Sequence, residues 1–127
     1  MNNFIDIEDI DSNQLKKIMA FSARLKAERI NISKGTKDFK KYLTNKVVAL
    51  LFKKPSTRTR FSFEVGILQM GGQTLTVSSN EMQISNFESM SDTARVLSQY
   101  LDMVVLRTDN HSDLIDLTNY SSIPIIN

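Results

Sequence analysis

Apolar residues fall into two rhythms along this chain, and the change from one to the other marks its elements. Residues 11–30, DSNQLKKIMAFSARLKAERI, repeat at helical spacing. Leu15, Ile18, Met19 and Leu25 share one face with the small Ser22, and Asp11 or Ser12 is placed to cap the first turn. NISKGT breaks the pattern at Gly35, and KDFKKYL reads as a short helical or irregular piece. VVALLF (Val47 to Phe52) is a continuous apolar run of strand length, as expected of a strand covered on both faces. Residues 59–70 return to helical spacing, with Phe63, Ile67 and Met70 on one face, Leu68 beside it, and Gly71–Gly72 as the stop. QTLTVSS (73–79) alternates and carries β-branched residues, so it reads as a strand. NEMQISNF (80–87) is a polar loop. ESMSDTARVLSQYL holds a helix capped by Ser89 or Ser91, with Ala94, Leu97 and Leu101 inward. MVVLR (103–107) is a buried strand, and HSDLIDLTNY (111–120) is a helix capped near Ser112 with Leu114, Leu117 and Tyr120 at helical spacing. IPIIN (123–127) begins a fourth strand.

From Val47 onward the order is therefore β-α-β-α-β-α-β. Strands alternating with helices join through right-handed crossovers into a parallel sheet. The expected fold is α/β: one three-layer domain over residues 1–127, with a four-stranded parallel sheet in the order 2-1-3-4 flanked by helices. Ligands in such sheets sit at the carboxyl ends of the strands, near the point where strand order reverses. In that order the segment after the first strand and Arg107 at the end of the third are neighbours.

Composition narrows the function. The chain has 127 residues, enough for one domain that buries roughly two thirds of its unfolded surface. With no Cys and one His (His111), neither a disulfide framework nor a thiolate or His-based metal site is expected, and no cofactor is implied. The start, MNNFIDIEDI, lacks the basic and apolar regions of a signal peptide. No run approaches the roughly 20 apolar residues of a membrane span. A cytoplasmic protein with no membrane partner is the expectation. The net charge of +2 comes without a dense basic tract, so nucleic acid is not indicated as a partner.

The segment with distinctive chemistry is LLFKKPSTRTRFSFEVG, Leu50 to Gly66. It concentrates Ser56, Thr57, Arg58, Thr59 and Arg60 where a strand hands over to a helix. A helix N-terminus offers unpaired N–H groups and a partial positive charge, which suits an anion. The hydroxyls add donors, and Arg58 adds a planar fork matched to phosphate oxygens. No acid stands between Phe52 and Phe61. The glycines of a P-loop are missing. Two readings stay open on these residues alone: a metal-free phosphate cradle, or hydroxyl caps beside solvated arginines.

FKKPSTRTRFSFE resembles the carbamoyl-phosphate motif of the aspartate/ornithine carbamoyltransferases, in which Phe52, Lys54, Ser56, Thr57, Arg58 and Thr59 match each specified position. GGQTLTV, ESMSDTARVLSQY, MVVLRT and SIPIIN are similar to successive pieces of that family's N-terminal domain. The resemblance implies that Ser56, Thr57, Arg58 and Thr59 hold the phosphate of carbamoyl phosphate. It implies that Thr59 and Arg107 also reach the carbamoyl oxygen as catalytic residues. The resemblance implies that Gln83 also binds carbamoyl phosphate, at the position where ornithine enzymes place a residue that enters a neighbouring subunit's site, and with DTARVL (92–97) it favours the ornithine branch. Lys53 departs from the Glu that many ornithine enzymes carry there, which is expected to cost an ion pair but no phosphate donor.

The implied reaction is transfer of the carbamoyl group to the amine of L-ornithine, giving citrulline and phosphate. The resemblance further implies a homotrimer in amino-acid and arginine metabolism. The family's chains are roughly twice as long or more. The segment carrying a His-Pro-x-Gln motif and the amino-acid-binding domain lie beyond the residues present, so L-ornithine is expected as a partner only if a second domain is supplied. A non-catalytic phosphate- or carbamoyl-phosphate-binding domain and an aspartate-type transcarbamoylase domain are the alternatives. Arg60 reads as a structural side chain on its own helix, Glu64 and Asp92 as helix-surface pairs or caps with Arg95 as a partner, and His111 as a helix-start residue.

Overall fold

The structure is a computed structural model and describes residues 3–78 and 89–127. A 3-10 turn, Ile7–Asp9, precedes α1 (Ser12–Glu28). Then come β1 (Val47–Phe52), α2 (Thr57–Gln69), β2 (Gln73–Ser78), α3 (Met90–Tyr100), β3 (Met103–Arg107), α4 (His111–Tyr120) and β4 (Ile125–Ile126). The four strands form one parallel sheet in the order β2-β1-β3-β4. This is the parallel α/β class that the apolar pattern implies, in the expected order 2-1-3-4.

The sheet's two faces bury two clusters. Ala49, Leu51, Val104, Leu106 and Ile125 pack with Ala94 and Leu101 of the α3 segment and with Leu114 and Leu117 of α4. On the other face Val48, Leu50, Phe52 and Val105 meet Ile67 of α2. The alternation within β1 thus feeds both layers, which is why its sequence is apolar without interruption. At the amino ends of the strands, Asp102 accepts from the Val47 N–H at 2.9 Å and from the Lys46 ammonium at 2.8 Å. Phe4 extends the sheet beyond β4: its N–H donates to Ile125 O and its carbonyl accepts from Asn127 N, each at 2.9 Å.

The helix ends follow local chemistry. Asp11 caps α1, accepting from Asn13 and Gln14, while Gln14 reaches back to the Asp11 N–H. Ser89 caps α3. For α4 the cap is Asn110 rather than Ser112: the Asn110 side chain accepts from both the N–H and the hydroxyl of Ser112. α2 closes with two bonds, Gly71 N to Leu68 O at 3.0 Å and Gly72 N to Ile67 O at 2.9 Å. Gly71 has φ +85°, and a Cβ there would stand 2.9 Å from Lys41 Cβ, so this turn requires glycine.

α1 departs from its pattern. No residue of the helix is buried, and Ile18 and Met19 are 47% and 63% exposed. The helix is tethered at its flank instead. Phe21 meets Tyr42 edge-on at 5.1 Å, Arg24 donates to the Tyr42 hydroxyl, and Arg29 at its end pairs with Asp38 and donates to the carbonyls of Ser33 and Thr36. Among the described residues no helix is long and apolar enough to cross a membrane.

Candidate anion-binding site

β1 is flanked on both sides, and its last residue lies abreast of the last residues of both neighbours. Phe52 registers with Ser78 of β2 and with Arg107 of β3. α2 covers one sheet face and α3 and α4 cover the other, so strand order reverses between β1 and β3. The crevice at such a reversal is where open α/β sheets bind ligands. Pro55 cannot donate to a ladder and fixes its own φ, and it ends the strand's exit from the sheet. Ser56 follows as N-cap with φ −153° and ψ 81°, and α2 begins at Thr57, two residues before the expected start.

Ser56 makes no cap hydrogen bond. The other three described α-helices each have a side-chain oxygen accepting at their first turn. α2 has none, and no acid lies in its first turn. Its first intrahelical bond is Arg60 N to Ser56 O at 2.9 Å, so the N–H groups of Thr57, Arg58 and Thr59 have no helical acceptor. The capping reading of Ser56 therefore falls away, and the helix end keeps its donors and its partial positive charge.

The basic side chains divide cleanly. Lys53 pairs with Asp113, Lys54 with Asp109 at 3.1 Å, and Arg60 with Glu64 at 3.0 Å. Arg58 and Arg107 have no acidic partner among the described residues. Both are exposed, one on the first turn of α2 and one at the carboxyl end of β3. Arg107 Nη1 donates to Thr59 Oγ1 at 3.4 Å. Two hollows flank the helix end. One of about 450 Å³ is lined by Ser56, Thr57, Arg60 and Thr76, and one of about 250 Å³ by Thr59, Arg107 and Asn127. The structure thus joins Thr59 to Arg107, sets Ser56 and Thr57 on the larger hollow, and leaves Arg58 exposed on the first turn of α2, lining neither hollow. Gln83 lies outside the described residues.

The acids near the opening are tuned by these pairings. The Thr76 hydroxyl, bonded to the Glu64 carboxylate, and then Arg60 hold that carboxyl below its usual range. The Lys54 ammonium does the same for Asp109. Both acids thereby stay ionised against Arg60 and Lys54, cations that line the larger hollow but are already paired. Lys53, where the resemblance gives Glu, makes an ion pair of its own with Asp113, 60 positions away in sequence. Asp109, Asp113, Thr76 and Asn127 carry no local sequence signal for this place; only the strand order brings them there. Roomier hollows lie elsewhere, but one is built around the satisfied Arg29 network and the other against the open side of α1.

Residues 2–127 match the family model described as "Aspartate/ornithine carbamoyltransferase, carbamoyl-P binding domain". The ornithine carbamoyltransferase of Paracoccus denitrificans is 46% identical over all 127 residues, which span 41% of that protein. The crystal structure of the anabolic ornithine carbamoyltransferase of Campylobacter jejuni superposes with a TM-score of 0.88 at 35% identity, over the whole chain and 39% of that one. The catalytic subunit of M. jannaschii aspartate transcarbamoylase gives a TM-score of 0.82 at 34% identity, over the whole chain and 41% of that one. The chain spans about two fifths of the length of the relatives it matches. On these matches, and on the uncapped helix end that carries the motif, the chain belongs to the aspartate/ornithine carbamoyltransferase family and corresponds to its carbamoyl-phosphate-binding domain.

Proposed function

We propose that this domain binds carbamoyl phosphate with Ser56, Thr57, Arg58 and Thr59 around the phosphate and with Thr59 and Arg107 toward the carbamoyl oxygen. The observation that carries this reading is the sorting of charge at the α2 end. Lys53, Lys54 and Arg60 are each held by an acid, whereas among the described residues Arg58 and Arg107 are not, and they flank an uncapped helix N-terminus. A phosphate there meets backbone donors, hydroxyls and a guanidinium fork together.

With a second, amino-acid-binding domain, the chemistry is carbamoyl transfer to L-ornithine. The uncharged amine attacks the carbamoyl carbon, the bond from that carbon to the phosphate oxygen breaks, and phosphate leaves while the amine loses a proton. Negative charge grows on the carbamoyl oxygen during attack, so donors from Arg107 and Thr59 stabilise the transition state more than the ground state. Holding the donor rigidly supplies the positional part of the acceleration. We take residues 1–127 as one functional unit, working in the cytoplasm in arginine metabolism as part of a trimer. The exposed stripe of Phe61, Val65 and Leu68 along α2 supports association.

An aspartate acceptor is the second reading, favoured by the similar structural likeness to the aspartate and ornithine enzymes. Calorimetric titration of carbamoyl phosphate at low salt tests the binding claim: heat is expected from the wild type and little from Arg58→Ala, and equal heats would defeat it. Citrulline against carbamoyl-aspartate formation, measured with a supplied second domain, separates the acceptors. The chain alone is expected to form neither.

A further inference from the structure

We infer that Lys53 and Asp113 act as a positioning pair that sets Arg107 against Thr59, an inference that rests on the carbamoyl-phosphate reading above. Lys53 is the first residue after β1. Its backbone N–H donates to the carbonyl of Arg107 at 2.9 Å, so it already shares the end of β3. Its ammonium crosses to the carboxylate of Asp113 on the first turn of α4. Asp113 also accepts from the side chain of Asn110, the α4 cap, at 3.2 Å. Arg107 is therefore held from one side by the residue that leads into α2, while the chain that follows it is anchored through α4 to that same residue. The two walls of the crevice, the β1–α2 and β3–α4 connections, are fixed to each other by this contact.

Burial separates it from the neighbouring pair. The side chains of Lys53 and Asp113 are 24% and 17% exposed, whereas Lys54 and Asp109 are 57% and 61% exposed. An exposed pair is screened and mobile and holds geometry poorly. A pair shielded to this degree keeps its form, and removal of one partner leaves the other inadequately solvated. Lys53 lines neither hollow at the helix end. With its ammonium spent on Asp113, it reaches a ligand only through Arg107.

The test uses Lys53→Met, the isosteric Asp113→Asn and the conservative Lys53→Arg. Each is measured for melting temperature, for carbamoyl phosphate affinity by calorimetry below the melting range, and for the Arg107 Nε–H resonance by NMR. Lys53→Met and Asp113→Asn are expected to bind about fivefold more weakly, within the range by which residues off the ligand modulate a site. They are expected to move the Arg107 resonance, and Lys53→Arg to restore both. Lower melting with unchanged affinity and an unmoved Arg107 resonance would reduce the pair to a structural contact and overturn the proposal. The resonance also separates this proposal from the one beneath it. If the wild type binds no carbamoyl phosphate, the cradle reading fails, while the Arg107 signal still reports whether Lys53 and Asp113 set that side chain.

Discussion

Arg107 reaches Thr59 across the point where strand order reverses, its Nη1 standing 3.4 Å from Oγ1. The two residues belong to different crossovers and meet because β1 and β3 end in register. At 3.4 Å the bond is at the weak end of the hydrogen-bond range, so a carboxamide oxygen entering between the two groups displaces little. The first prediction follows from this geometry. Arg107→Gln should weaken carbamoyl phosphate binding more than inorganic phosphate binding, because only the former presents a carbamoyl oxygen. Paired calorimetric titrations check it, and equal losses for the two ligands would place Arg107 on the phosphate instead.

Arg58 and Arg60 are two residues apart and should behave oppositely. Arg58 has no acidic partner among the described residues, whereas Arg60 is bound to Glu64 one turn along α2. Losing a charge-assisted bond to a ligand oxygen costs about 1.5–3 kcal/mol. Arg58→Ala should therefore remove most of the anion affinity. Arg60→Ala should lower stability by about 0.3–0.5 kcal/mol, as for an exposed pair one turn apart, and leave most of the affinity intact. Affinity and urea midpoints measured on both variants decide this. Raising salt should weaken wild-type binding, because the attraction of exposed guanidinium groups is screened over roughly 10 Å at 0.1 M.

The sheet was legible because its two central strands are covered on both faces. VVALLF and MVVLR have the observed bounds of β1 and β3, and the helical spacing between strands implies parallel crossovers, while the order 2-1-3-4 is one arrangement among those the crossovers allow. The motif residues were legible as a group, but the start of α2 was not. Ser and Thr are indifferent helix formers and give no local signal for a start, and the helix begins two residues after Pro55. The cation pairings were illegible for a different reason. Lys53 finds Asp113 through the adjacency of β1 and β3, which is a property of the assembled sheet and not of either local sequence.

Acid should loosen the domain through Asp102 and Glu64, besides the Lys54-paired Asp109. Hydrogen bonds from Lys46 and then from the Val47 N–H hold Asp102 below its usual value of 3.8, and Thr76 and then Arg60 hold Glu64 below 4.5. A carboxyl depressed by folding binds fewer protons in the native state than in the unfolded one. Its contribution is complete above the unfolded value and is lost as pH falls through the folded one. The urea midpoint should therefore be insensitive to these groups above about pH 5.5 and fall progressively below the ordinary carboxylate range. Asp102→Asn should flatten that decline. A variant with the same acid slope as the wild type would show that Asp102 is not held by its partners in solution.

Two apolar truncations distinguish pattern from burial. Leu50 and Met19 both sit where the sequence rhythm calls for an inward face. Leu50 is fully buried in the centre of the sheet, whereas Met19 is 63% exposed on α1. Removing the Leu50 side chain forfeits its transfer energy and leaves a cavity between β1 and α2, for a loss of about 2–5 kcal/mol. Met19→Ala removes atoms that water already reaches, and Ala is the better helix former, so the change should stay within about 0.5 kcal/mol. Urea unfolding of the two variants at several protein concentrations checks both. A loss at Met19 comparable with that at Leu50, and growing with concentration, would mean that the exposed face of α1 is covered by another chain in solution. Concentration-independent parity would mean that α1 packs against its own domain more closely than its exposure allows.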